Sequence, residues 1–229
     1  MIFKEVTIMK LKGAIFDLDG TLLDSMPTWR TVGSEFLKRR GIETEEGFDA
    51  RFRTMTLMQA AIYFKENYNI KDDEESIIKE FEEIMLPKYE KELPLKSGVL
   101  DMLKDFKKNG VKMCIATATN RPLVEAALKR LKIEDYFDGL ITCLEAKKGK
   151  QFPDIYREAL KIINCKKEDT VVFEDALHAV KTAKKDGFFV AGIYDRESDQ
   201  WQEEIKKLSD YYILDYNDND FIESQKEKP

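Results

Sequence analysis

The chain has 229 residues, 43% hydrophobic and 36% charged, with a formal net charge of −6. That is enough apolar material to bury a core, as one large domain or as a domain carrying an insert, and the acidic balance supplies no basic field to draw the molecule onto nucleic acid or anionic lipid. No run approaches the ~18 apolar residues of a membrane span, and the first ten residues contain no signal-peptide core. A cytoplasmic protein is therefore expected, with no nucleic-acid and no membrane partner.

In chain order, short apolar runs fall at 13–18 (GAIFDL), 111–117 (VKMCIAT), 139–143 (GLITC), 170–175 (TVVFED), 188–194 (FFVAGIY) and 211–215 (YYILD). From the second run onward helical patterns alternate with them, which predicts βαβ units and an α/β fold with a doubly wound, mainly parallel sheet. Between residue 25 and about residue 92 no comparable strand occurs. The segments 29–41, 56–68 and 75–93 instead carry apolar residues at spacings of three and four, so an α-helical insert is predicted after the first strand. Pro94 and Gly98 punctuate the return. The expected organisation is a core of residues 1–26 and 93–229 and a helical cap of 27–92, with a polar, frayed tail over 217–229.

Several chemistries are excluded at once. His178 is the only histidine, which removes multi-histidine zinc sites and paired-histidine phosphatase chemistry. Six residues separate Cys114 from Arg121, one too many for a Cys-x5-Arg phosphate loop, and no G-x-x-x-x-G-K-[ST] motif exists. Cys114, Cys143 and Cys165 are odd in number and two lie in apolar runs, so they read as reduced thiols. His178, about one turn beyond Asp175, reads as a partly buried helix residue facing a neighbouring loop.

The first strand runs into Asp17 and repeats a carboxylate at Asp19. Two like charges this close to a buried strand are costly unless a cation or hydrogen-bonding groups compensate them. Other strand ends add to the pair: Thr117 closes the second run, Glu174 and Asp175 close the fourth, and Lys150 precedes a predicted helix. Singly, an Asp after a strand is a turn former or cap, a Thr is an N-cap and a Lys is solvated. Together they converge on the strand ends where open α/β sheets bind ligands. Four carboxylates there suit a hard divalent cation, Mg²⁺ first among them. Pro122 marks a helix start whose free N–H groups and dipole suit a phosphate. In such a site Asp17 is placed to attack phosphorus in line, and Asp19 to protonate the departing oxygen and then deprotonate water.

The motifs DLDGTLLDS, Thr117 at the end of CIAT, GKQFPDIY and VVFED, in this order around a helical insert, resemble the haloacid dehalogenase-like superfamily, in its phosphatase branch with a cap after strand one. The resemblance implies a Rossmann-like core, with Asp17 as a nucleophile forming an aspartyl-phosphate and Asp19 as general acid/base. It implies phosphate binding by Thr117 and Lys150, with further contacts from Asn120 and Arg121. It also implies Mg²⁺ held by Asp17, the backbone carbonyl of Asp19 and Asp175, with Glu174 in support. Gln151 and Phe152 depart from the small residues usual there, and Ala176 and Ala179 stand where Ser and Gly are frequent. The expected function is a Mg²⁺-dependent phosphatase acting on a small phosphorylated metabolite, as a monomer or weak dimer. A phosphomutase of the β-phosphoglucomutase type is the alternative, disfavoured by Thr21 and Trp29 where such mutases tend to carry Val and a functional His. A non-enzymatic receiver-like module fits the motif order poorly. Arg39, Arg40, Arg51, Arg53 and Lys65 are cationic residues of the cap to which no substrate contact is assigned.

Overall fold

The computed structural model describes residues 11–45, 47–49, 55 and 57–217. Arg51, Arg53 and the tail from residue 218 lie outside the described residues. The first strand, β1 (Gly13–Phe16), is followed by four helices, α1 (Met26–Arg30), α2 (Val32–Arg39), α3 (Leu57–Tyr68) and α4 (Glu74–Lys91). The chain then alternates through α5 (Val99–Lys108), β2 (Lys112–Thr117), α6 (Arg121–Leu131), β3 (Gly139–Thr142), the short α7 (Cys143–Ala146) and α8 (Asp154–Ile163). It ends with β4 (Thr170–Glu174), α9 (Leu177–Lys185), β5 (Phe189–Ile193), α10 (Gln202–Leu208) and β6 (Tyr211–Ile213).

The six strands form one sheet in the order β3-β2-β1-β4-β5-β6, and every neighbouring pair is parallel. The order reverses between β1 and β4, so a crevice opens at their carboxyl ends. Strand residues alternate between faces. Ala14, Phe16, Met113, Ile115, Val171 and Phe173 share an apolar cluster with α5 and α6, whereas Ile15, Cys114, Ala116 and Val172 join Ile155, Tyr156 and Ala159 of α8 and Val180 of α9. Burial on both faces is why the strands read as continuous apolar runs rather than alternating ones.

The insert has an aromatic interior in which Phe36, Phe64 and Phe81 pack with ring centroids 5.0–5.8 Å apart. This interior is continuous with the cluster on the Ala14 and Phe16 face of the sheet. Helix α4 lies against α6, and the Arg130 guanidinium of α6 donates to the carbonyls of Tyr89 (2.8 Å) and Leu93. The two connections between insert and sheet run side by side: Leu23 bridges Leu95 in antiparallel fashion, Asp24 N–H donates to Pro94 and Lys96 N–H donates to Leu22.

Two local features were not written in the periodicity. The pattern over 29–41 is divided at Thr31, which caps α1 at its end and α2 at its start. Helix α4 continues through Pro87. The proline faces solvent and removes a single intrahelical donor, while Ile84, Met85 and Tyr89 are buried on the other side and hold the helix in place.

Candidate active site

Strand register brings the first two carboxylates together. Ile15 pairs with Val172 and Phe16 with Phe173, so Asp17 and Glu174 come next, on the face that carries α8. Asp17 N–H continues the ladder to Phe173 O at 3.0 Å. Lys150, 5% exposed, reaches over both, with Nζ 2.6 Å from Asp17 Oδ1 and 2.5 Å from Glu174 Oε1. The Tyr156 hydroxyl of α8 donates to the same Glu174 oxygen at 2.8 Å. Burial alone would lower the Lys150 ammonium, but the two carboxylates outweigh it and hold it above its ordinary value. Burial pushes Glu174 upward against the pull of Lys150.

Asp175 turns to the other side of the strand end, where its Oδ1 accepts from the Thr21 hydroxyl at 2.8 Å. Gly20, at φ +81°, passes so close that a Cβ would collide with the Asp175 carboxylate. Only glycine meets both demands, the left-handed backbone and the close approach. Burial drives Asp175 well up, and the charges of Asp17 and Glu174 add to it.

One carboxylate oxygen from each of Asp17, Glu174 and Asp175 lies within 4.8 Å of the others. Glu174 Oε2 is buried with no hydrogen-bond partner, which is costly unless something positive meets it. Three carboxylates and one ammonium leave a formal charge of −2, and an all-oxygen donor set is that of a hard divalent cation.

Asp19 lies in a different environment. Its Oδ1 accepts from the Ser25 hydroxyl (2.6 Å) and from the Tyr89 hydroxyl, and its Oδ2 accepts from the Thr119 hydroxyl (2.6 Å). Ser25 immediately precedes α1, Tyr89 is on α4, and Thr119 is in the loop after β2. The Trp29 indole N–H donates to the Tyr89 oxygen at 2.8 Å. Burial raises the Asp19 carboxyl, and the three hydroxyls oppose it. None of Ser25, Tyr89, Thr119 or Tyr156 stands out in the sequence, where a hydroxyl on a helix or in a loop reads as a cap or as core.

Thr117 is buried at the end of β2, its hydroxyl accepting from Thr119 N–H at 3.1 Å. Asn120, the residue before α6, does not cap that helix; its amide donates to Glu82 of α4. Arg121 is not brought to the acidic cluster. Its guanidinium donates to Glu145 (2.6 and 3.0 Å) and to Leu140 O (3.0 Å), because the capping box of α7 presents Glu145 to it. Of the insert's cations, Arg40 is engaged by Glu80 and Asp72, and Lys65 by Glu74. The three cysteines are free thiols, and burial pushes Cys114 up to about 12. His178 is exposed on α9.

A family model described as haloacid dehalogenase-like hydrolase matches residues 14–193. A phosphorylated carbohydrates phosphatase from Thermotoga maritima is 29% identical over 77% of this chain and 82% of its own length. Among solved structures, CbbY from Rhodobacter sphaeroides in complex with phosphate superposes with a TM-score of 0.79 at 23% identity, covering 92% of this chain and 96% of that one. A β-phosphoglucomutase from Clostridium difficile gives 0.74 at 19% identity, over 94% and 96%. These two likenesses show the fold. The match over most of the length, with the strand-end acids gathered at one crevice, establishes that the chain belongs to the haloacid dehalogenase-like hydrolase family.

Proposed function

We propose that this hydrolase is a phosphatase of small phosphorylated metabolites, phosphorylated carbohydrates foremost, that works through an aspartyl-phosphate on Asp17. The observation that carries the reading is the division of labour between the two acids: Asp17 lies against an ammonium, and Asp19 lies among hydroxyls. A carboxylate lying against the Lys150 ammonium is placed for nucleophilic attack. A carboxylate kept clear of cations and raised by burial is suited to carry a proton. Asp17 attacks phosphorus as Asp19 protonates the leaving oxygen; Asp19 then deprotonates water, which releases phosphate from Asp17. Lys150, Thr117 and the N-terminus of α6 bind the phosphoryl oxygens, with Asn120 beside them. Arg121 is left out of that set by its pairing with Glu145.

Mg²⁺ fits Asp17, Asp175, Glu174 and the Asp19 carbonyl, and when bound it supplies charge neutralisation at the phosphoryl oxygens. Residues 27–92 form the cap that selects the substrate, because the crevice residues address only phosphate and metal. Hydrolysis is favoured over phosphoryl transfer within a sugar by Trp29, whose indole is engaged with Tyr89.

The test is trapping. With p-nitrophenyl phosphate and Mg²⁺, Asp19→Asn should accumulate one phosphoryl group on the peptide containing Asp17, and Asp17→Asn should accumulate none. A label on Asp19, Thr117 or His178 would refute the assignment, as would full activity of the wild type in EDTA.

A further inference from the structure

A carboxylate oxygen has two in-plane lone pairs. At Asp19 both of those on Oδ1 are taken, one by the Ser25 hydroxyl at 2.6 Å and one by the Tyr89 hydroxyl. Among the described residues Oδ2 receives one donor, Thr119 at 2.6 Å, which leaves its second lone pair without a hydrogen bond. The Tyr89 hydroxyl is itself fixed, because its oxygen accepts from Trp29 Nε1 at 2.8 Å and its ring meets the Trp29 ring edge-on at 6.4 Å. Tyr89 is fully buried, so its ring cannot swing away without opening the contact between α4 and α6.

We infer that Asp19 exchanges its proton through Oδ2 alone, and that Tyr89, backed by Trp29, is the positioning residue that imposes this by occupying Oδ1 together with Ser25. The inference rests on the acid/base reading of Asp19 given above. In the first half-reaction the proton leaves Oδ2 for the oxygen whose bond to phosphorus breaks, as the bond from Asp17 to phosphorus forms. In the second, water adds to phosphorus, its proton passes to Oδ2 and the bond from Asp17 to phosphorus breaks, which restores the starting state. Because Tyr89 belongs to α4 and Ser25 to the connection into α1, this arrangement exists only while the insert is seated on the sheet.

Tyr89→Phe keeps the buried ring and removes the hydroxyl. Phenyl phosphate and p-nitrophenyl phosphate differ mainly in how much the leaving oxygen needs a proton, so they isolate the step. In rapid-mixing experiments with Mg²⁺, Tyr89→Phe should lose about tenfold or more in the phosphorylation rate with phenyl phosphate and much less with p-nitrophenyl phosphate. KM should stay within about threefold for both. Trp29→Phe should show the same leaving-group dependence more weakly, and the double variant should be no slower than Tyr89→Phe, since Trp29 acts through Tyr89. Wild-type rates in Tyr89→Phe, equal losses for both esters, or additive losses in the double variant would overturn the inference. Should Tyr89→Phe not fold, Ser25→Ala addresses the same oxygen and should show the same split. The phosphatase reading fails separately, through absent turnover or a label away from Asp17; the positioning inference fails where the wild type turns over, Asp19→Asn traps the phosphoenzyme and Tyr89→Phe behaves as wild type.

Discussion

Lys150 faces two carboxylates with one ammonium, in a place nearly closed to solvent. Replacing it by Met leaves Asp17 and Glu174 as uncompensated neighbours, and losing one partner of a buried pair costs about 3–5 kcal/mol. Lys150→Met should therefore lower the free energy of unfolding by that amount in metal-free buffer, a loss that urea titration measures. Gly20→Ala should also destabilise the chain, because it adds both a left-handed alanine and a collision with Asp175. Isothermal titration with Mg²⁺ should show weaker binding by this variant, and unaltered binding would mean that Asp175 is not a ligand. The same residues show what a sequence reveals. That Asp17, Asp19, Thr117, Glu174 and Asp175 lie near one another was legible, because each sits at or just past the end of a strand in the middle of the sheet. Tyr89 was not: it lies 70 residues from Asp19, inside a helical pattern where a buried aromatic is the ordinary occupant. Arg121 illustrates the opposite case, in which its neighbour Glu145 decides where a long cation points.

At the level of elements, strands were easier to place than helix ends. All six strand runs contain the observed strands, because burial on both faces writes an unbroken apolar stretch. Helix ends depend on single side chains. Helix α9 begins after Ala176, which has extended backbone angles and no side chain able to cap. Ala176→Ser supplies that acceptor and should stabilise the protein by about 0.5–1 kcal/mol. In a chain of this length that corresponds to a rise in melting temperature of roughly 1–4 °C, readable by calorimetry. At α6 the missing cap has another consequence. Asn120 turns its amide to Glu82 instead of capping the helix, while its carbonyl accepts from Leu123 and Val124 N–H and Pro122 has no N–H to give, so what α6 offers a phosphate is its dipole and the Arg121 N–H rather than a row of free donors.

Across the whole molecule, one apolar cluster runs from the Ala14 and Phe16 face of the sheet through Phe36, Phe64 and Phe81 of the insert. Units joined by a large apolar contact do not melt separately. Insert and sheet should accordingly unfold in a single transition, and the two tryptophans allow a test. Trp29 lies in the insert against Tyr89, and Trp201 is exposed between β5 and α10. In a Trp201→Phe background the fluorescence of Trp29 reports the insert, while far-ultraviolet dichroism reports the whole chain. The two melting curves should coincide. Mg²⁺ should move both upward together, because a ligand of the folded state stabilises everything that folds with it. The effect should also grow with pH. Glu174 is raised by burial to about 7 from an ordinary 4.5, so the folded, metal-free chain holds a proton that the unfolded chain has released, and its stability falls as pH climbs through that interval. Cations bind the deprotonated carboxylates, so the gain from Mg²⁺ should be larger at pH 8 than at pH 5.5. A fluorescence transition that stayed in place while the dichroism transition moved would show the insert to be a separate unit. A gain from Mg²⁺ independent of pH would place the cation away from Glu174 and Asp175.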